Sequence, residues 1–528
     1  MSSTAISFKG ITKAFGHTKA NSNISFDIKK GEILALLGEN GSGKTTLMNI
    51  LSGIYYPDSG EIFIDEKPVN ISSPRHAYEL GIGMVHQHFK LIDVLTVTEN
   101  IVLGLDGKLN LKEAENKIRG ICDRYGFEID LRKKIYDMSV SEKQTVEIVK
   151  VLYRDAKILV LDEPTAVLTP QETEKLFHVM RNMKADGKSI IIITHKLHEV
   201  RAISDRVAVL RKGEFIGEII TSESDEQQMT EMMVGRKVSL NIKRTPPADP
   251  KPRLIVENLT VKDSAGVLKL KNVSFTANSG EILGIAGISG CGQKELLESI
   301  AGLSKAESGS VWFCEEGKKR ENLIGKDPEA INQMGVSLAF VPEDRLGMGL
   351  VGNMDLADNM MLRSFRTGRS GIFTDRKSPR RLAETIVEEL SVDTPGIFTP
   401  VRLLSGGNVQ KVLLGREISS KPSVIMTAYA VRGLDINSSY VIYDLLNRQK
   451  EEKAAIIFVG EDLDVLLALS DRILVLCDGE VSGIVDCPSA DKNTLGLLMT
   501  RKAVGQQEVM PDNSGSETSS NNEGGADQ

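Results

Sequence analysis

Gly38-Glu39-Asn40-Gly41-Ser42-Gly43-Lys44-Thr45 decides how this chain folds. An apolar run, residues 32–37, leads into it, and a helix-forming run, residues 45–51, leaves it. The segment fills the pattern G-x-x-x-x-G-K-[ST] in the strand-to-helix context that the pattern requires. Its glycines let backbone N–H groups point at phosphate oxygens, and the helix start adds the positive end of its dipole. Lys44 can bridge the β- and γ-phosphates of a nucleotide, and the Thr45 hydroxyl can ligate Mg2+. Ile158-Leu159-Val160-Leu161-Asp162-Glu163 is the complementary piece. A buried strand carries Asp162 to its carboxyl end beside the phosphate loop, where it can hold the Mg2+ shell. Glu163 follows as the group that polarises an attacking water. The apolar runs at 157–161 and 189–194 are continuous rather than alternating, as in parallel strands covered on both faces. The fold class is α/β.

The chain has 528 residues, three or four units at about 150 residues each. Hydrophobic residues make up 41% and charged residues 26%, a globular and not a disordered balance. A net charge of -7 speaks against a protein built to grip nucleic acid. No apolar run approaches the ~20 residues of a membrane span. The start MSSTAISFKG lacks the apolar segment of a signal peptide, so the expectation is a chain that stays in the cytoplasm. The five cysteines are scattered without a C-x-x-C pair, which argues against a disulfide framework and a zinc site.

The chain repeats itself. Gly31-Glu32-Ile33-Leu34 recurs as Gly280-Glu281-Ile282-Leu283, and Ser204-Asp205-Arg206 as Ser470-Asp471-Arg472, at offsets of 249 and 266 residues. A period this long means two homologous domains in tandem, not a solenoid. Four prolines in RTPPADPKP (244–252) mark an extended linker, because proline removes donors and blocks helix and central strand. The expected domains are 1–240, a linker 241–253, and 254–504. The acidic stretch 505–528, rich in Ser, Asn and Gly, is expected to be disordered.

A phosphate loop alone leaves kinases, GTPases and many ATPases open. The residues that follow narrow the choice. Gln87 follows the β-like run 81–85. Met138-Ser139-Val140-Ser141-Glu142 precedes a helical stretch, 143–154, just before the acidic strand, and His195 ends the run 189–194. With Leu404-Ser405-Gly406-Gly407-Asn408 in the second half, this order resembles the ATP-binding-cassette (ABC) family over about residues 5–500. The resemblance implies two tandem P-loop ATPase domains, each a mixed sheet core with a helical subdomain, using ATP and Mg2+. It implies that Phe15 stacks on adenine and that Gly38, Glu39, Asn40, Gly41, Ser42, Gly43, Lys44, Thr45 and Thr46 hold the nucleotide. Gln87 would sense the γ-phosphate, face the membrane partner and join Thr45 and Asp162 around Mg2+. His195 would be the switch histidine, so the catalytic set is Glu163, His195 and Gln87. The other histidines, among them His17, His86 and His88, show no metal-ligand spacing.

The second half is a worn copy. Gln293 and Lys294 stand where Lys44 and Thr45 do, Ala428 and Tyr429 for Asp162 and Glu163, Glu343 for Gln87, Glu461 for His195 and Asp263 for Phe15. That removes the electrostatics on which phosphoryl transfer depends. The second half keeps its signature loop, Ser405, Gly406 and Gly407, and an interface loop, Arg432-Gly433-Leu434-Asp435. The first half's signature is the degraded one, with Val140, Ser141 and Glu142 at its Gly-Gly-Gln positions. Because cassettes of this family pair head to tail, one site is whole, completed across the pair by Ser405 and Gly407, and the other is damaged on both sides.

The resemblance therefore implies the ATPase subunit of an importer, closest to nucleoside-type systems, with ribose-, galactose- and riboflavin-type importers near. Implied partners are two integral-membrane permease subunits and an extracytoplasmic substrate-binding (lipo)protein, with no nucleic acid. Its place would be peripheral, on the cytoplasmic face of the inner membrane. Two rivals have other chemistry: a soluble twin-cassette protein acting on ribosomes or in repair, and a regulatory nucleotide-binding module without turnover.

Overall fold

The computed structural model describes residues 3–16, 18–87, 89–105, 110–166, 168–236, 242–263, 265–288, 290–334, 336–365, 369–370 and 373–500. His17, His88, residue 241 of the linker and the tail expected at 505–528 lie outside the described residues.

Each half is built on a six-stranded sheet. In the first half the strands lie in the order Glu214–Ile220, Arg206–Arg211, Ile33–Leu37, Ser189–Ile193, Ile158–Asp162, Ile82–Val85. In the second the order is Glu480–Asp486, Arg472–Cys477, Ile282–Gly287, Ala455–Val459, Val424–Ala428, Leu338–Val341. The two orders match strand for strand. Neighbours pair in parallel except for the edge hairpin of each sheet. The inner strands are buried from end to end, which is why their sequences are continuous apolar runs. Each half adds a four-stranded antiparallel sheet, led by Thr4–Phe15 and by Pro252–Lys262. Pro252 is tolerated as a strand's first residue, so that strand starts inside the stretch read as linker. A helical group completes each half. In the first half Val97–Val102, Leu111–Tyr125 and Val140–Tyr153 share a core of Val97, Ile101, Ile118, Val146 and Val149. The mixed sheets and helices are the α/β architecture that the sequence implies.

The helix expected from residue 143 begins at Val140. Ser139 caps it, accepting from Glu142 N, while the Glu142 carboxylate accepts from Ser139 N at 2.6 Å. This reciprocal box is written in the sequence as S-x-x-E.

The short words that betray the repeat are one structural device used twice. Arg206 Nη1 reaches Glu32 Oε1 at 2.9 Å, and Asp205 Oδ2 accepts from Ile33 N at 2.9 Å. In the second half Arg472 Nη1 reaches Glu281 Oε1 at 3.0 Å, and Asp471 Oδ2 accepts from Ile282 N at 2.9 Å. Each device clamps the start of the strand that ends in the phosphate loop to its neighbour in the sheet. Arg206 and Glu32 are only 10% and 8% exposed, and removing one partner of a buried pair leaves the other charge without compensation. We expect Arg206→Ala to lower unfolding free energy in urea melts by about 3 kcal/mol. Lys30→Ala, whose partner Asp65 is exposed, should cost less than about 1 kcal/mol. Equal losses from the two would contradict the clamp.

Candidate active site

The strand Ile33–Leu37 delivers Gly38 with φ +154°, and the turn ends at Gly43 with φ +96°, immediately before the helix Lys44–Leu51. Only glycine suits Gly38, because a Cβ there would strike the Leu210 carbonyl oxygen and Ser42 Oγ. Gly43 rests on Ala20 and Asn21, and Asn21 Nδ2 donates to Gly43 O at 3.1 Å. Sequence reading missed this buttress. The only trace it leaves is a fully buried polar residue in a strand, which no motif reports. Lys44 is 7% exposed and folds onto the loop, donating from Nζ to Gly38 O at 2.7 Å and Glu39 O at 3.0 Å. Burial pulls its proton affinity down while Glu163, Asp162 and Glu39 hold it up.

Three neighbouring strands end at the same place. Asp162 closes Ile158–Asp162, Gln87 follows Ile82–Val85, and His195 follows Ser189–Ile193. Burial pushes the Asp162 carboxyl up to about 6, with Glu163 adding to it and Lys44 and Thr45 opposing. Glu163 turns out of the strand in a left-handed conformation, φ +49°, and its N–H donates to Ile193 O at 2.8 Å. The turn aims its carboxylate at both flanking residues. Gln87 Nε2 donates to Glu163 Oε2 at 3.1 Å, and His195 Nδ1 lies 3.0 Å from Oε1. Burial works to raise the Glu163 carboxyl, but the His195 hydrogen bond and the charges of His195, Lys44 and Lys196 outweigh it. The group is held below the ordinary carboxylate value. In return the Glu163 hydrogen bond raises the proton affinity of His195. Glu199, a second residue the sequence did not reveal, is buried beneath this group. It accepts from Thr165 Oγ1 at 2.6 Å and lies 3.2 Å from Lys196 Nζ.

Phe15 ends its strand 46% exposed, edge-on to the Tyr55 ring at 5.2 Å. Thr45 and Thr46 lie in the first turn of the loop's helix. The second half approaches from the other side, where Asn40 Nδ2 lies 3.5 Å from Leu434 O. Ser405 caps the helix Gly406–Ile418 through Asn408 N. Gly407 packs so closely on Ser438 and Asp435 that a Cβ would come within 2.7 Å of Ser438 Oγ. Ser405, Gly406 and Gly407 thus share a loop cluster with the segment that touches the first phosphate loop.

The ABC transporter family model matches residues 21–166 and 270–427. This chain belongs to the ABC transporter family. The nucleoside import ATP-binding protein NupA of Lactococcus lactis is 42% identical over 94% of this chain and 98% of its own length. The guanosine import ATP-binding protein NupO of Bacillus subtilis is 41% identical over 95% and 99%. The glucose import ATP-binding protein TsgD13 of Haloferax volcanii is 41% identical over 93% and 95%.

The second cassette keeps the frame and changes the chemistry. Gly292, φ +99°, and Tyr429, φ +51°, repeat the backbone of Gly43 and Glu163, and Tyr429 N donates to Val459 O at 3.1 Å. Gln293 is 2% exposed, with Nε2 3.2 Å from Ile288 O, so a neutral amide fills the lysine's place. Leu270 packs under Gly292, where the first cassette has Asn21 under Gly43. The Arg432 guanidinium lies 2.5 Å from Glu343 and 3.2 Å from Glu461, the residues standing for Gln87 and His195. In the first cassette's own signature, the Glu142 carboxylate is taken up by Ser139 N and by Lys133 Nζ at 2.8 Å.

These differences predict unequal responses to substitution. Lys44→Ala should weaken ATP binding by on the order of 100-fold, because a charge-assisted phosphate contact is lost. Gln293→Ala should change ATP turnover by less than ~10-fold, under ~1.4 kcal/mol of barrier. Titration with a fluorescent ATP analogue and a phosphate-release assay measure the two, and comparable damage from both would mean two working sites.

Proposed function

We propose that this chain hydrolyses ATP at one composite site and thereby energises an importer for a nucleoside or a related small polar solute. The observation that carries the reading is Glu163, aimed by its left-handed turn and held between Gln87 and His195. Its lowered proton affinity keeps it an acceptor for a water proton at neutral pH. Lys44 would exchange its bonds to Gly38 O and Glu39 O for β- and γ-phosphate oxygens. Asp162 fits Mg2+: it is a buried carboxylate whose proton affinity is raised by burial and by the neighbouring Glu163 charge, both of which a bound cation would offset, and the Thr45 hydroxyl lies beside it. Gln87 is the third residue of that shell in our reading. When bound, Mg2+ neutralises charge developing on the phosphate oxygens. Phe15 offers the ring for adenine, and the remaining loop residues to Thr46 offer backbone N–H groups.

Ser405, with the Gly406 and Gly407 amides, would close on the γ-phosphate from the second cassette, which is the head-to-tail pairing. The contact of Asn40 with Leu434 O supports that direction of approach. We read residues 1–240 and 254–504 as the two cassettes, joined by the linker 241–253.

No helix among the described residues is long and apolar enough to cross a membrane, and permease subunits would supply the passage. Val94, Tyr136 and Leu403 are apolar side chains 68%, 55% and 63% exposed, of the kind a membrane partner would cover. The peripheral position on the cytoplasmic face and the extracytoplasmic binding protein follow from that reading. The names of the nucleoside and guanosine import relatives support the solute class. The glucose import relative, equally similar at 41%, supports sugar as the second reading. Uptake of labelled guanosine against labelled glucose by the assembled transporter separates the two.

Glu163→Gln should abolish steady-state phosphate release while ATP still binds. A variant that keeps on the order of half the wild-type rate, a barrier change under ~0.5 kcal/mol, would overturn the single-base reading. Ser405→Arg should approach that loss, because the side chain would enter the γ-phosphate clasp. Ser139→Arg, facing the site without carboxylates, should be much milder. The head-to-tail assignment fails if Ser139→Arg proves the more damaging of the two in the same assay.

A further inference from the structure

The segment that carries His195 has a counterpart in the second half at the repeat offset, with basic residue types in the one and acidic residue types in the other. His195-Lys196-Leu197-His198 corresponds, position for position, to Glu461-Asp462-Leu463-Asp464. Each follows an inner strand, Ser189–Ile193 or Ala455–Val459, and opens a short helix, Leu197–Ile203 or Leu463–Leu469. The central leucine is unchanged, and every polar position has changed from basic to acidic. Drift at a solvated turn would scatter such changes. Here all three run the same way.

The structure brings the two segments together. His198 Nδ1 lies 3.3 Å from Asp464 Oδ2, across the boundary between the halves. Lys492 Nζ lies 2.6 Å from the same oxygen. Lys492 opens the helix Lys492–Thr500, whose Asn493 O accepts from Gln171 Nε2 of the first half at 3.3 Å. The neighbouring positions sense each other as well. Burial raises the proton affinity of Glu461, and Lys196 and His195 are among the charges pulling it back. Asp462 adds to the effect of Glu163 in raising that of His195.

We propose that these two segments are a matched docking pair. The acidic segment of the second cassette receives the basic segment of the first, favouring first-with-second association over first-with-first association between two copies of this chain. A like pair would set His195, Lys196 and His198 against their own copies, and like-charge juxtaposition is how an interface rejects a wrong partner. The same contact tethers the loop that carries His195, so Asp464 and His198 are positioning residues of the working site. That last role rests on the ATP site proposed above. The docking itself does not.

His198 and Asp464 are 43% and 46% exposed, so the contact is partly screened by water and its effect is local. The test is a charge swap in the full chain, read by hydrogen exchange without nucleotide over residues 196–203 and 462–469. His198→Glu and Asp464→Lys, made singly, should each speed exchange in both segments by roughly 3-fold. Made together they should return exchange to within about 2-fold of wild type, because Lys492 and the new lysine then both face the new glutamate. The differences should shrink at about 1 M salt. The proposal is overturned if the double variant behaves as the product of the singles, or if a change on one segment leaves the other's exchange unaltered. The ATP KM of the same variants reads the positioning role: both singles should raise it and the double restore it, and a KM unmoved by the singles removes that role. Wild-type ATP turnover is measured alongside. A chain that folds and exchanges as expected but releases no phosphate would defeat the ATPase reading and leave the docking result standing.

Discussion

A buried ammonium is the constraint from which the rest of the first cassette's candidate site follows. Lys44 is 7% exposed, and a cation so placed must be surrounded by acceptors and counter-charge. The loop supplies the acceptors as backbone carbonyls, which forces the turn that Gly38 and Gly43 make possible. The neighbouring strand supplies the counter-charge as Asp162 and Glu163. Those carboxylates in turn repel each other, and Glu163 is drawn off by His195 and Gln87 on the adjoining strands. In the second cassette the ammonium is gone, and the buried Gln293 amide needs neither carboxylate. Ala428 and Tyr429 are then what the site can tolerate. Keeping two acids beside a neutral amide would leave their charges without compensation. The neutral amide and the missing acids are thus electrostatically consistent with one another.

What survives in the worn cassette is the part that does not depend on charge at the nucleotide. Tyr429 holds the same left-handed turn as Glu163 and gives its N–H to the same neighbouring strand. Gly292 repeats Gly43, and the Arg472–Glu281 clamp repeats Arg206–Glu32. The backbone frame is fixed by sheet order and by burial, which the substitutions leave alone. Where side chains of the lost chemistry would gather, the fold has placed an ion pair of its own, Arg432 between Glu343 and Glu461. A guanidinium with two carboxylates satisfies the same strand ends without ligand.

Much of this was legible in the residues because local chemistry and three-dimensional place coincide there. The phosphate loop, the strand ending in Asp162, the repeat and the α/β class are each written in a few adjacent residues. The tandem ABC architecture followed from their order. The start of the helix Val140–Tyr153 was misplaced by three residues, although Ser139 and Glu142 spell the capping box that sets it. The same residues also occupy the signature positions of the family pattern, which masks their role as a cap. Asn21, Glu199 and the Arg432 ion pair were illegible for a different reason. Each acts through a partner distant in sequence, 22 residues away for Asn21 and Gly43 and 89 for Arg432 and Glu343. A buried polar residue in a strand announces only that it has some partner, not which one.

The second cassette also has a structural role beside the first phosphate loop. The first phosphate loop meets the second half at Leu434, in a loop that Asp435 fixes by capping the helix Ile436–Glu451. Gly407, in the loop that Ser405 opens, packs against the same Asp435 and Ser438. Tyr429 borders that loop, its carbonyl accepting from Arg432 N at 3.0 Å with the Arg432 guanidinium over its ring, and the loop still holds Leu434 against the first cassette. Substitution at Gly407 would not be so forgiving, because any side chain there meets Ser438 and Asp435 and would displace the loop from the first cassette. On the single-site proposal, the phosphate side lies in the first half and the closing side in the second. The substituted counterparts, Gln293, Ala428 and Tyr429 in one half and Val140, Ser141 and Glu142 in the other, then fall outside that site.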